Sequence, residues 1–150
     1  MIEKGSKIYI GSDHAGFGLK EIIKPMLTEL GYEVTDVGTN DTNSCDYPDF
    51  AKPVAEAVAS GTAAAGVLVC STGIGMSMAA NKVKGVRAAL VHHVFEAMMT
   101  RKHNDANVIC IGANITGPSI ALEAVKMFLA TEFEGGRHQR RVDKVMAIEN

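Results

Sequence analysis

Short apolar runs alternate along this chain with longer stretches in which apolar residues recur every three or four positions. Lys7-Ile8-Tyr9-Ile10-Gly11-Ser12 predicts a first strand, rich in β-branched and aromatic residues. From Phe17 to Leu30 the positions Leu19, Ile22, Ile23, Met26, Leu27 and Leu30 fall at helical spacing, and Gly31 supplies the stop. Pro25 is a misfit inside that pattern and predicts a kink or a late helix start. Glu33 to Val37 predicts a second strand. A polar stretch from Gly38 to Asp46 then leads to a helix opened by Tyr47-Pro48-Asp49 and running to about Ser60. Ala65-Gly66-Val67-Leu68-Val69-Cys70 is apolar throughout, as expected of a third strand covered on both faces. A glycine-bearing turn, Ser71 to Gly75, precedes a short helix, Met76 to Asn81. Arg87 to Val91 predicts a fourth strand, Phe95 to His103 a helix, and Val108 to Gly112 a fifth strand. Pro118 to Ala130 reads as a long amphipathic helix with proline near its start, where helix geometry favours it. Arg137 to Ile148 closes the chain as a terminal helix.

Strands separated by helices of this length imply parallel βαβ units. The expected fold is α/β: a single-domain three-layer α/β/α sandwich over residues 1–150, with a five-stranded parallel Rossmann-like sheet and a C-terminal arginine-bearing helix. Length and composition agree, since 150 residues suit one domain and 47% hydrophobic content excludes a disordered chain. A net charge of -2 argues against a nucleic-acid or membrane-surface partner recruited by charge. No apolar run approaches the ~20 residues of a membrane span. Met1 to Lys7 lacks the apolar core of a signal peptide, and Cys45, Cys70 and Cys110 form neither an even set nor a metal-type pair. A soluble cytoplasmic protein with free thiols is the expectation.

Ligands of parallel α/β sheets bind at the carboxyl ends of the strands, which directs attention to what stands there. The first strand ends in Gly11-Ser12-Asp13-His14, an acid and an imidazole that can polarise a hydroxyl or orient one another. The plainer reading is an N-cap Asp with a surface His. The third strand ends in Cys70-Ser71-Thr72-Gly73-Ile74-Gly75-Met76-Ser77, where two glycines permit a tight turn with inward-facing N–H groups, suited to an oxyanion or phosphate. A thiol at such a helix entrance is available as thiolate near neutrality, whereas an ordinary strand cysteine is simply a small buried hydrophobe. No arginine closes the loop as a cysteine phosphatase requires, and no Gly-Lys-Ser/Thr is present for a nucleotide P-loop. Arg101 to Asn107 gathers charged, amide and imidazole groups before the fifth strand, with Asn and Asp also serving as turn residues. His92 and His93 read as structural, and no His/Cys/Asp/Glu spacing suggests a metal or other cofactor. Gly135-Gly136-Arg137-His138-Gln139-Arg140-Arg141 carries three arginines, with Arg137 and Arg141 on one helix face; they match phosphate geometry or form a solvated basic helix end.

Taken together, Gly11-Ser12-Asp13-His14, Asp46-Tyr47-Pro48-Asp49, Cys70 to Ser77 with Ala79-Ala80-Asn81-Lys82, Arg101 to Asn107 and Gly135-Gly136-Arg137-His138 resemble the type B ribose-5-phosphate isomerase family, the RpiB/LacAB sugar-phosphate isomerases. The five pieces occur in order over nearly the whole chain. The resemblance implies a metal-independent aldose–ketose isomerase interconverting ribose 5-phosphate and ribulose 5-phosphate. It matches Cys70 to the base that moves a proton between C1 and C2, His103 to the residue that opens the sugar ring, and Asp13 to the carboxylate beside the ring oxygen. Ser71, Thr72, Gly73, Ile74 and Gly75 match the anion hole for the enediolate, with Thr72 near the sugar oxygens. His14, Arg137 and Arg141 match phosphate contacts, and Tyr47 and Asn104 sugar-pocket residues. Three departures stand out: Asn114 where several relatives carry arginine, Ser71 where some carry glycine, and no carboxylate at Gly75-Met76 to rival Cys70.

The fold reading adds an expectation about assembly. Cys70 and Asp13 lie at strand carboxyl ends, whereas His103 precedes the fifth strand and belongs at the opposite edge of the sheet. That distance, roughly 17 Å for ~5-residue strands, exceeds the reach of a proton transfer. A homodimer with composite sites is therefore expected, as the resemblance also implies. Two other functions fit the same residues: an isomerase of another aldose (allose or galactose 6-phosphate, or a non-phosphorylated sugar), and a non-catalytic sugar-phosphate-binding module.

Overall fold

The computed structural model describes residues 1–150. Its five strands, β1 (Lys7–Ser12), β2 (Glu33–Asp36), β3 (Ala65–Cys70), β4 (Ala88–Leu90) and β5 (Val108–Gly112), form one all-parallel sheet ordered β2-β1-β3-β5-β4. Between and after them run α1 (Phe17–Glu29), α2 (Pro48–Ala59), α3 (Ile74–Ala80), α4 (Val94–Asn104), α5 (Pro118–Ala130) and α6 (Arg137–Met146), with a 3-10 turn over Ala147–Glu149. None of these helices is long and apolar enough to cross a membrane.

Every residue of β3 is buried, which accounts for its unbroken apolar run: it is the central strand and is covered on both faces. Alternate strand residues face opposite sides. Ile8, Ile10, Val67, Val69, Ile109 and Ile111 pack against α1, α4 and α5, where Ile23, Leu27, Phe128 and Leu129 complete one core. Leu68, Cys70, Val108 and Cys110 face Val54 and Val58 of α2 and Met76 and Ala80 of α3. The expected three-layer α/β/α sandwich is thus observed.

Local departures have local causes. Helix α1 begins at Phe17 and continues through Pro25, so the late start does not occur; its buried face of Leu19, Ile23, Met26 and Leu27 holds it to the sheet despite the lost amide. Helix α3 starts at Ile74, earlier than the periodicity suggests, because Gly73 adopts a left-handed conformation (φ 76°) and turns the chain straight into the helix. Strand β4 is trimmed to Ala88–Leu90 at the sheet edge, and the terminal helix gives way to the 3-10 turn after Met146.

Lys20 is fully buried, and its ammonium bonds Asp36, which also receives Lys24 at 2.8 Å and the Gly38 amide at 2.9 Å. Burial alone would raise the Asp36 pKa. The hydrogen bonds from Lys20, Lys24 and Gly38 and the Lys20 charge outweigh it and hold the carboxyl below its ordinary 3.8. A depressed carboxyl stabilises the fold above the unfolded-state value and loses that contribution as pH falls through the folded-state value. Asp36→Asn should therefore lose about 3 kcal/mol at pH 7, because it leaves the buried Lys20 ammonium with Glu21, at 3.3 Å, as its remaining counter-charge. Urea unfolding should show the gap between variant and wild type narrowing below about pH 4, where the unfolded-state carboxyl protonates, and closing as pH falls through the lower folded-state value. A gap that stays constant with pH would assign the loss to packing.

Candidate active site

The chain leaves β1 toward β2 on one side and returns to β3 on the other, so the β1 and β3 carboxyl ends flank the topological switch point of the sheet. Ser12 pairs with Val69, and Cys70 with Gly112, which brings the ends of β1, β3 and β5 level. At the end of β1 the chain is pressed onto β3: a Cβ on Gly16 would stand 2.3 Å from the Val69 carbonyl oxygen. Asp13 is buried, and its Oδ1 accepts the Gly16 amide at 3.0 Å. The helix N-cap itself is Gly16, without a side-chain cap, so Asp13 orders the loop rather than capping α1. His14 is half-buried, and its Nδ1 accepts the Cys45 amide at 3.2 Å. That bond leaves Nε2 as the protonated nitrogen of a neutral ring, free to donate to a ligand.

Cys70 sits at the end of β3 with 4% of its surface exposed, and its Sγ accepts the Gly73 amide at 3.1 Å. The turn lies tightly over β5, since a Cβ on Gly112 would approach the Thr72 carbonyl carbon to 2.5 Å. The Gly73 amide is committed to Cys70 and the Ile74 amide to Thr72 Oγ1 at 3.3 Å, leaving those of Ser71, Thr72 and Gly75 without internal acceptors. Tyr47, at the start of α2, lays its ring against Gly75, where a Cβ would come within 2.8 Å of it. Asn114 Nδ2 donates to Ser71 Oγ at 2.8 Å, so the residue after β5 holds the loop by a neutral hydrogen bond. Cys110, on the core face shared with Cys70, is wholly buried; burial, and secondarily the neighbouring Cys70, push its thiol pKa up, as suits a core residue.

His103 and Asn104 end α4, beside the amino end of the sheet. Asp105, left-handed at φ 44°, terminates the helix and is gripped from two sides. Arg101 bonds its carboxylate at 2.8 Å, and Arg87 bonds its carbonyl at 2.8 Å and the Asn104 carbonyl at 3.1 Å. Arg101 is therefore structural, packed also over Phe128. The His103 ring stacks on His138 of α6, with centroids 4.2 Å apart. Desolvation lowers the His138 pKa, reinforced by His103 and Arg137 against the opposing pull of Glu134. His103, Asn104, His138 and Arg141 line one pocket of about 420 Å³, which Arg137 and Cys70 do not line.

The predicted residues thus form two groups. Asp13, His14, Tyr47 and Ser71 to Gly75 gather around Cys70 at the carboxyl ends, whereas His103, Asn104 and Arg141 gather at the amino end. Gly66 to Cys70 spans the depth of β3 alongside Val108 to Gly112, roughly 13 Å at strand rise. Sequence reasoning missed His138 as a site residue, although it stands within the Gly135–His138 motif, and found no metal-type spacing. The structure nevertheless brings His103, Glu134 and His138 together, with donor atoms within 4.8 Å of one another.

A parallel sheet with a thiol under a glycine turn at its switch point, and a histidine-lined pocket at its other end, has the architecture of an α/β enzyme, and its relatives make it an isomerase. The chain belongs to the Ribose/Galactose Isomerase family, whose model matches residues 8–145. It is 46% identical over 143 residues to ribose-5-phosphate isomerase B of Escherichia coli, covering 95% of this chain and 96% of that protein. Among solved structures, ribose-5-phosphate isomerase B of Clostridium thermocellum superposes with a TM-score of 0.94 at 50% identity, covering 95% of this chain and 97% of the other. That of Mycoplasma genitalium, solved with bound ribulose-5-phosphate, gives 0.94 at 44% identity, covering 98% of each.

Proposed function

We propose that this protein interconverts ribose 5-phosphate and ribulose 5-phosphate without a metal, in a homodimer whose two active sites each draw on both chains. The observation that carries the reading is the buried Cys70 sulfur, held by the Gly73 amide beside three uncommitted amides at the switch point of the sheet. His103, with Asp13 beside the ring oxygen, moves the proton that opens the furanose. The Cys70 thiolate then takes the C2 proton of the open aldose and returns it to C1, while the O2 hydroxyl proton passes to O1 and leaves the carbonyl at C2. The enediolate formed between those steps carries its charge on oxygen, where the Ser71, Thr72 and Gly75 amides can meet it. Each such donor contributes roughly 2.7–4 kcal/mol in a site closed to water. Thr72 holds the sugar oxygens, Tyr47 and Asn104 bound the sugar, and His14, Arg137 and Arg141 take the phosphate, whose binding energy holds the open chain in place.

The depth of the sheet supports the dimer, because Cys70 and His103 of one chain lie at opposite ends of it. Ile74 and Met78, which follow the Cys70 turn on α3, are 46% and 64% exposed, leaving apolar surface beside the site for a second chain to cover.

The test is ribulose 5-phosphate formation from ribose 5-phosphate in the presence of a chelator. Activity should persist, and its absence in folded protein would overturn the reading in favour of another aldose or a silent binding module. The role of His103 is separable. A four-carbon aldose 4-phosphate cannot close a five-membered ring, so it needs no ring opening. His103→Ala should lower turnover of ribose 5-phosphate roughly 100-fold while changing that of the four-carbon substrate only a fewfold. Equal losses on both substrates would remove His103 from ring opening.

A further inference from the structure

The cluster at the amino end of the sheet has a donor set that the isomerisation does not use as a whole. The Glu134 amide bonds the Lys102 carbonyl at 3.1 Å, fastening the segment before α6 to the end of α4 and bringing the Glu134 side chain beside His103 and His138. Glu134 Oε2 stands 3.5 Å from His138 Nε2. His138 is only 6% exposed, and this Nε2 is buried without a hydrogen-bond partner. A buried ring nitrogen ordinarily has a partner, so one left without a hydrogen bond beside a carboxylate and a second imidazole is a candidate ligand atom.

Two imidazoles and one carboxylate are the ligands of an open zinc site, with a fourth position left to water. In a tetrahedral shell with bonds of about 2.0–2.2 Å, donors stand about 3.3–3.6 Å apart. The three donor atoms lie within 4.8 Å of one another, so side-chain rotations that bring them about 1.5 Å closer close the set. Lys102 Nζ, 3.5 Å from Glu134 Oε1, and Arg141 in the same pocket oppose a cation. They make the site one for reversible occupation rather than for a resident ion.

We propose that His103, Glu134 and His138 bind a divalent transition metal of the zinc type, and that the ion inhibits the isomerase by occupying the His103 nitrogen needed for ring opening. The inhibition rests on the role of His103 proposed above; the binding does not.

The test titrates chelator-stripped full-length protein with Zn²⁺ by calorimetry and with Co²⁺ by visible absorption, and assays ribose 5-phosphate turnover alongside. One ion per chain is expected, with cobalt bands of a nitrogen and oxygen site and zinc inhibition that a chelator reverses. Glu134→Gln should keep metal-free activity within about twofold while weakening both binding and inhibition on the order of 100-fold. His138→Ala should weaken cobalt binding equally, which supplies a second variant on the same readout. Thiolate-to-cobalt charge transfer, or unchanged zinc inhibition in Glu134→Gln, would put the ion on a cysteine and overturn the proposal, as would no binding at all. Binding that Glu134→Gln removes, without inhibition in the wild type, would sustain the metal site and instead overturn the ring-opening role of His103.

Discussion

Cys70→Ala should lower kcat for ribose 5-phosphate roughly 10³-fold and leave KM nearly unchanged. A general base of this kind contributes 10²–10⁴-fold, and Cys70 has no carboxylate beside it in the turn to take its place. The asymmetry between kcat and KM follows from the role proposed above: a base acting at C1 and C2 leaves untouched the phosphate contacts that supply binding energy at the far end of the substrate. The fold should survive, because alanine at the end of β3 removes one sulfur from the core and frees the Gly73 amide while leaving the backbone–backbone hydrogen bonds in place. Cys110→Ala is the control. It also removes a buried sulfur from that core face, so stability should fall comparably while turnover is retained. Steady-state kinetics and urea unfolding of both variants decide the matter. A Cys70→Ala enzyme retaining a tenth of wild-type activity would remove the thiol from the chemistry.

How much of this was legible in the sequence depended on how local each cause is. The bounds of β3 and β5 match the apolar pattern because these strands are buried along their length, so the pattern and the element end together, while α5 is bounded by Pro118 at its start and by a buried face that ends at Leu129. The edge strand β4 has only half-buried residues and pairs as a strand over Ala88–Leu90, although the flanking Arg87 and Val91 still bond the β5 segment through the Asn107 amide and the Cys110 carbonyl. The start of α3 was hidden because it depends on a left-handed glycine, and a sequence shows that glycine is present without showing which one turns. The Cys70 turn was readable as a motif, but the division of its amides between the sulfur, Thr72 and a ligand was not. Likewise the sequence offered Asp13 as a cap or as a site acid, and only the Gly16 hydrogen bond shows that it orders the loop. His103, Glu134 and His138 were least accessible. A gap of thirty residues in the sequence separates His103 from Glu134, and a backbone bond from Glu134 to Lys102 closes it. Spacing rules see only the four-residue step from Glu134 to His138.

Mixing two nearly inactive proteins should restore activity. If each site takes Cys70 from one chain and His103 from the other, a dimer of one Cys70→Ala chain and one His103→Ala chain has one site with both defects and one with neither. Random reassociation of equal amounts makes half the dimers mixed, so about one site in four is intact and about a quarter of wild-type activity returns. The argument rests on sheet geometry: Cys70 pairs with Gly112 at the carboxyl end of β5, whereas His103 lies before Val108 at its amino end. No side-chain rotation spans roughly 13 Å of strand, and proton transfer requires contact at hydrogen-bond distance or through one water. Coexpression with two different affinity tags, followed by purification on both, isolates the mixed dimer, which should show about half the wild-type turnover per dimer. If both residues served one site within a single chain, every chain in that dimer would lack one of them, and the purified heterodimer would be as inactive as its parents. The doubly substituted Cys70→Ala/His103→Ala chain paired with wild type separates the readings again. Composite sites leave each of its two sites with one defect and almost no activity, whereas self-contained sites leave the wild-type chain working at half the activity of the normal dimer.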